Sequence, residues 1–556
     1  MSQAEAQLMM PPVVIIGGGP TGMTLANLLG YAGIPVLLAE RNASTSDLPR
    51  AVSFDDESLR TFQSCGLEDA AYELIVQGTG TKYFGANGKE LAYQRGPAQP
   101  PLGHPVKNPF SQPEFERMLR AGLDRFPHVA THFSTELTEL HVDDDHTARV
   151  TLRNADGELR EVVAGVVVGC DGGRSFVREQ LGIPMMGTSL GDPWLVVDTL
   201  EDEHNERYAM HHCDPRRPFV IVPGRDGRCR YEFRLLPGED PRDFTALEAV
   251  SRLLAPFRTI SREQLERCTV YTFHALIAER WQEGPVLLAG DAAHMMPPFA
   301  GQGLNSGIRD AGNLAWKIAL VSKGQADPRL LRTYEPERRP HAEATVALSV
   351  RLGTVMMSRR PTFARVRDTL VRAGLHLPAV HRYVTEGRFK PTARYRTGAV
   401  LPATDPDPHG LVGSPLAQPL VLLADGTRRR LDDVLGTGFS LLRVDEPPSR
   451  PPLRCDRHPW PTLEPTVVNI LLGDRAPREH PAGAEITVAD IDGTLTQRLG
   501  PYRGRVLLVR PDRFVAAVLP ADLAGGADAV AGALALPAQS PQPARPVLTS
   551  EGASPD

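Results

Sequence analysis

Val13-Val14-Ile15-Ile16-Gly17-Gly18-Gly19-Pro20-Thr21-Gly22 decides how this chain folds. Four β-branched apolar residues in a row read as a short parallel strand covered on both faces. Gly17-x-Gly19-x-x-Gly22 follows at once and opens the helical stretch TGMTLANLLGYAG. A second strand, Ile34-Pro35-Val36-Leu37-Leu38-Ala39-Glu40, completes a βαβ unit. Each glycine has a physical task. Gly17 permits the tight turn, Gly19 lets a pyrophosphate approach the backbone, and Gly22 lets the helix pack closely on the sheet. The helix start at Pro20 and Thr21 offers free N–H groups and a positive dipole to that pyrophosphate. Glu40, followed by Arg41, can accept hydrogen bonds from an adenosine ribose. An acid at this place argues against a 2′-phosphate, which leaves FAD or NAD as the bound nucleotide.

Two later motifs choose FAD. Cys170-Asp171-Gly172-Gly173 follows the run Val166-Val167-Val168, with Ser175 and Arg178 just beyond. Gly290-Asp291-Ala292-Ala293-His294 follows the strand VLLAG, then continues through Pro297-Pro298 into Gly301-Gln302-Gly303-Leu304-Asn305-Ser306-Gly307. A carboxylate at a strand end can bind the ribityl hydroxyls of a flavin. A glycine-rich helix start can aim N–H groups at the flavin pyrimidine and stabilise the anionic reduced ring. His294 beside Asp291 invites an acid–base role, but shaping the loop is the preferred reading. His211, His212 and Cys213 lack further ligands at metal spacing, so no metal is expected.

With these three motifs in this order, residues 12 to 395 resemble the single-component (class A) FAD-dependent aromatic hydroxylases, which have the para-hydroxybenzoate hydroxylase fold. Within that family the likeness is to the hydroxylases of 3-(3-hydroxyphenyl)propionate. Pro49-Arg50-Ala51, Phe54-Asp55-Asp56-Glu57, Cys213-Asp214-Pro215-x-Arg217-Pro218 and Gly301 to Asp310 carry it. The resemblance implies that Arg50 and Gln112 contact the flavin, that Asp291 binds the ribityl chain, and that Asp171 lies near the nicotinamide region. It makes Arg50 and Pro298 the catalytic candidates. Gly17, Gly19, Pro20, Thr21, Gly22, Glu40, Arg41, Arg50, Gln112, Asp171, Asp291, Pro298, Gly301, Gly303, Leu304 and Asn305 are the cofactor-binding set. It further implies that NADH or NADPH reduces FAD, that O2 forms a flavin hydroperoxide, and that a phenol is hydroxylated ortho to its hydroxyl. The phenol is expected to be 3-(3-hydroxyphenyl)propionate-like, with tailoring hydroxylation or epoxidation of an aromatic natural product as the alternative. A flavin halogenase would need a WxWxIP motif, which Trp194, Trp281, Trp316 and Trp460 do not form. A flavin reductase or oxidase, or a non-catalytic flavin module, fits the motifs at 49–57 and 301–310 less well. One dinucleotide fingerprint implies that the nicotinamide docks transiently.

The expected fold is α/β. A Rossmann-like FAD-binding domain of the GR2 type occupies 1–185 and resumes at 278–395, with helices over 329–392. A mostly antiparallel substrate-binding sheet is inserted at 186–277. Residues 110–126 read as an amphipathic helix and 129–170 as a β-meander returning to the parallel sheet. The strands PLVLLAD, TVVNILLG, GRVLLVR and FVAAVLP point to an independent α/β domain at 396–530, which resembles a thioredoxin-like extension. Its only cysteine is Cys455, so dithiol chemistry is excluded there. Residues 531–556 read as a disordered tail.

Composition narrows the function class. A length of 556 residues implies several domains. A net charge of −6 with no basic run excludes nucleic acid as an expected partner. No signal-like N-terminus and no long apolar run occur, so a cytoplasmic chain without membrane contact is expected. Six scattered cysteines fit reduced thiols. A small phenol is the expected partner, and a homodimer is left open.

Overall fold

The strand Val13–Ile16 is buried at every position. In the computed structural model it lies inside a six-stranded sheet ordered Gln282–Glu283, Val286–Leu288, Val166–Gly169, Val13–Ile16, Val36–Ala39, Val129–His132. All pairs are parallel except the first. The register sets Val13 beside both Val36 and Val166. Runs of β-branched residues suit strands that are covered above and below. The helix Pro20–Tyr31 covers one face and packs against the long helix Gly303–Ser322. Both glycine-rich helix starts therefore sit at the carboxyl end of the same sheet, where α/β proteins bind ligands. The structure describes residues 12–143, 147–204, 206–401, 407, 409–445, 459–473, 475–477, 486–523 and 526–537.

The amphipathic reading of 110–126 corresponds to the helix Gln112–Leu123, which buries Phe115, Leu119 and Leu123. The meander is the three-stranded sheet Glu136–Val142, Ala148–Arg153, Leu159–Ala164, and Val129–His132 already belongs to the parallel sheet.

The substrate-side sheet is larger than the 186–277 segment. Its seven strands are ordered Leu265–Tyr271, Trp194–Thr199, Cys229–Arg234, Phe219–Pro223, Tyr208–His212, Gly80–Phe84, Glu90–Gln94. The last two come from the FAD-binding part, and Gly80–Phe84 pairs in parallel with Tyr208–His212. Met185–Ser189 and His274–Ala278 leave this sheet and form a separate one with His294–Met295. Local periodicity carries no information about a strand pairing across so long a stretch of chain.

The C-terminal part is a seven-stranded mixed sheet. In it Ser440–Val444 runs parallel to Thr466–Leu471, and Arg505–Val509 with Val515–Pro520 forms a hairpin ahead of the helix Ala527–Ala533. The expected boundary at 530 falls inside the last helix, and Leu534 just past it is buried. The rest of the expected tail, 538–556, and Cys455 lie outside the described residues. The unit is not independent in its packing. Phe439, Leu441, Trp460, Val467 and Leu508 share one apolar core with Val13, Leu314, Trp316 and Leu320. Trp316 meets Phe439 edge-on, with ring centroids 5.6 Å apart. Glu337, on the helix Tyr334–Met356, accepts from Lys317 Nζ at 2.9 Å and Arg510 Nη2 at 2.9 Å, all three side chains buried. Arg60 reaches Asp432 at 2.7 Å across the same junction. Among the described residues, no helix is long and apolar enough to cross a membrane.

Candidate active site

The glycines of the first turn do different things. Gly17 has φ +109°, and a Cβ there would come within 2.4 Å of Cys170 O. At Gly22 a Cβ would lie 2.1 Å from Gly17 O. Gly18, which the sequence pattern left as a free position, would press on Glu40 Cβ at 2.8 Å. Gly19 alone of these faces open space, with nothing within 4 Å of an added Cβ. Glu40 Oε2 accepts from Gly18 N at 2.7 Å and Oε1 from Asn42 N at 2.8 Å, so its carboxylate is held rigidly at the strand end.

The two later motifs converge on this turn. Arg178 ties them together by donating to Ala292 O at 3.0 Å and Gly173 O at 2.9 Å. Asp171 Oδ2 accepts from Val177 N at 3.0 Å, while Oδ1 is buried with no hydrogen-bond partner. Burial pushes the Asp171 carboxyl above the ordinary range, against hydrogen bonds from Ser175 and Val177. Asp291 is exposed on the wall of a cavity. Desolvation raises its pKa, and the charges of His294 and Arg50 draw it back. His294 itself is buried, with Nε2 2.7 Å from Asp310 Oδ2. Asp310 also accepts from Gly290 N at 3.0 Å and Arg338 Nε at 2.9 Å. The histidine thus braces the loop.

A cavity of about 920 Å³ joins these motifs to the seven-stranded sheet. The register aligns Tyr83, His211, Val220, Glu232 and Val196 across adjacent strands, and two residues away on the same face Thr81, Ala209, Val222, Arg230, Asp198 and Arg267. All but Asp198 line the cavity, with Phe299, Leu348 and Leu352 among the residues opposite. Arg230 Nε donates to Asp198 at 2.7 Å, and its two terminal nitrogens donate to the carbonyls of Arg50 and Pro49. Arg267 donates to Pro49 as well. The substrate sheet therefore grips the backbone of the 49–50 segment. Burial raises the pKa of Glu232, opposed by Arg230.

The FAD binding domain family matches residues 10–349. The chain belongs to the single-component FAD-dependent aromatic hydroxylases. The HcaD C-terminal domain family matches residues 413–533 of this hydroxylase. Among curated relatives, a 3-(3-hydroxy-phenyl)propionate/3-hydroxycinnamic acid hydroxylase of Burkholderia vietnamiensis is 39% identical over 512 residues, 91% of this chain and 93% of that protein. One from Mycolicibacterium smegmatis is 39% identical over 524 residues, 94% and 92% of the two chains. A solved ternary complex of aklavinone-11 hydroxylase with FAD and aklavinone superposes with a TM-score of 0.74 at 27% identity, covering 94% of this chain and 98% of that one. The anhydrotetracycline hydroxylase OxyS of Streptomyces rimosus gives 0.72 at 26% identity, covering 95% and 100%.

Every cofactor-binding candidate except Gly22 borders the cavity of the hydroxylase. Gly22 lies behind the turn. The open space at Gly19, the orphaned Asp171 oxygen and the Asp291 carboxyl, which accepts no hydrogen bond from a described side chain, fit an adenine-dinucleotide flavin. Arg41, Arg50 and Pro298 are exposed to the cavity, and Leu304 is half-buried beside it. Gly301 ends the short turn Pro298–Ala300 with φ +63°, and Gly303 begins the long helix. Two of the cavity-lining amides also bond within the protein. Gln112 Oε1 accepts from Ala51 N at 2.6 Å and Nε2 donates to Glu116 at 2.7 Å. Asn305 Oδ1 accepts from Asp55 N at 3.0 Å and Ser58 Oγ at 2.7 Å, and Nδ2 donates to Gly301 O at 2.8 Å. They fix the segments beside the flavin site. The free N–H groups at the start of the 303–322 helix remain for a ligand.

The sequence reading missed Arg230, Glu232 and Arg267. Their signal was present in Cys229-Arg230-Tyr231-Glu232-Phe233-Arg234, where charge alternates with apolar residues. Such alternation also describes a solvent-facing strand, and only the fold reveals that this face is enclosed.

Proposed function

We propose that this hydroxylase acts on a phenol bearing a short carboxylated side chain, of the hydroxyphenylpropionate or hydroxycinnamate type, and inserts oxygen ortho to the existing hydroxyl at the expense of NADH or NADPH. The observation carrying this reading is that relatives named for that activity share 39% identity across 91% of the chain. Bound FAD supplies electron storage and oxygen activation. The backbone at Gly19, Pro20 and Thr21 cradles the pyrophosphate, Glu40 and Arg41 flank the adenosine, and Asp291 takes the ribityl hydroxyls. The helix start at Gly303 and Leu304 directs N–H groups at the pyrimidine edge, with Asp171 and Pro298 bordering the ring. Arg50 is the mobile cation beside it, its backbone steadied by Gln112, Arg230 and Arg267. Glu232, facing the cavity with a raised pKa, takes the phenolic proton. The aromatic and aliphatic wall excludes water.

The test is NAD(P)H consumption by the FAD-loaded enzyme with a panel of phenols, with products identified by mass spectrometry. A phenolic acid is expected to accelerate flavin reduction and to yield the ortho-hydroxylated product. Reduction at the same rate with no phenol, and no phenol converted, would sink the reading. A second expectation concerns Asp291→Ala. Loss of a charged hydrogen bond of about 1.5–3 kcal/mol weakens FAD binding by about 10- to 150-fold, with the circular dichroism spectrum unchanged. Wild-type FAD affinity in this variant would contradict the role.

A further inference from the structure

Lys107 stands at the edge of the cavity with an amine that the protein leaves short of partners. Its Nζ donates to Thr81 Oγ1, and no carboxylate of a described residue lies within ion-pair distance. An ammonium has three donors, so two remain for a ligand. Thr81 pairs across to Ala209, two residues before His211 on the same cavity face of the sheet, and the Lys107 charge acts on His211. Burial and the charge of Lys390, another cavity-lining cation, push the Lys107 amine down to about 7. His211 is held neutral, down to about 3, by burial and by Lys107 and His212. It can therefore donate one N–H without adding charge. Two cations and a neutral imidazole stand together at one end of the pocket, across the sheet from Arg230, Glu232 and Arg267, and form a corner that a buried anion would satisfy. Thr81 and Glu232 lie three strands apart and two residues out of register in the sheet, about 16 Å at roughly 4.8 Å per strand and roughly 3.4 Å per residue. Side chains reaching inward from both ends shorten that gap to the length of a substituted phenol.

We propose that Lys107, assisted by His211 and Lys390, is the anion subsite that holds the substrate's side-chain carboxylate and so aims the phenol ring at the oxygen-transfer position. This rests on reading the substrate as a phenolic acid. The charge match is what separates an acid from a neutral phenol of equal size.

The experiment titrates FAD-loaded enzyme with 3-(3-hydroxyphenyl)propionate and with its primary amide, following flavin absorbance, and measures KM and product for both. Wild type is expected to bind the acid at least tenfold more tightly than the amide. Lys107→Met should raise the acid Kd at least tenfold and bring the acid-to-amide ratio near one, and Lys107→Arg should restore part of the preference. An unchanged ratio in Lys107→Met, or equal weakening of acid and amide, overturns the subsite. If wild type hydroxylates both ligands without preference, the hydroxylase reading stands and the subsite falls. If it hydroxylates neither acid, amide nor any other phenol, the proposed function fails and takes the subsite with it.

Discussion

Glu337→Ala is expected to destabilise the folded protein by about 3–5 kcal/mol, the usual cost of stranding buried charges by removing one partner. Glu337 is the shared counter-ion of Lys317 and Arg510, and it also accepts from Asn313 Nδ2 at 2.7 Å and Ala399 N at 2.7 Å. Removal leaves Lys317 with no carboxylate, Arg510 with Asp512 alone, and the Asn313 side-chain amide and the Ala399 N–H without their acceptor in a dry junction. Desolvation works against the Glu337 charge, but Arg510 and Lys317 outweigh it and hold the carboxyl at about 2. The sign for pH follows. A carboxyl depressed in the folded state contributes stability that is present above its unfolded pKa, near 4.5, and is lost as pH falls toward 2. Denaturant melts of wild type and Glu337→Gln across that window should therefore converge as pH drops. A Glu337→Ala penalty below about 1 kcal/mol would contradict the assignment.

Gly19 and Gly22 are expected to fail in opposite ways. Gly19→Val should give a folded, FAD-free protein. The residue has φ −81° and ψ −177°, which any residue adopts, and a side chain there meets no protein atom. The chain fills instead the space through which the pyrophosphate approaches, so a loss of at least about a hundredfold in FAD affinity, about 2.8 kcal/mol, is expected. Gly22→Ala presses a methyl group against the Gly17 carbonyl, a backbone atom that cannot move aside without opening the βαβ unit. It should fail to fold or melt far below wild type. The readouts are FAD titration of the apoprotein and thermal unfolding of apo forms. Equal FAD affinity in Gly19→Val would refute the cradle, and a stable Gly22→Ala would refute the packing role.

The parts legible in the sequence are those whose chemistry is local. The turn from Gly17 to Gly22, the carboxylates at 40, 171 and 291, and the apolar strands each declare themselves within a dozen residues. What stayed hidden depends on residues meeting from far apart. Nothing near Gly80 announces a parallel partner at Tyr208. Asn305 and Gln112 stand in flavin motifs, and what those motifs could not announce is that their amides also hold Asp55, Ser58, Ala51 and Glu116. The C-terminal strands predict a self-contained unit because each is apolar enough to close its own core. Only the assembled fold shows Phe439 and Trp460 finishing a core begun at Val13.

The two-faced sheet has a practical consequence for redesign. Leu195, Val197, Met210, Ile221, Tyr231 and Phe233 pack on the side away from the cavity and anchor the strands. Ala209, Val220, Val222 and Val196 alternate with them and look inward. Recognition and scaffolding thus occupy separate positions on the same strands. A library randomised at those four sites, with the outward set untouched, should sample new ring sizes and substituents while most members still express as yellow protein.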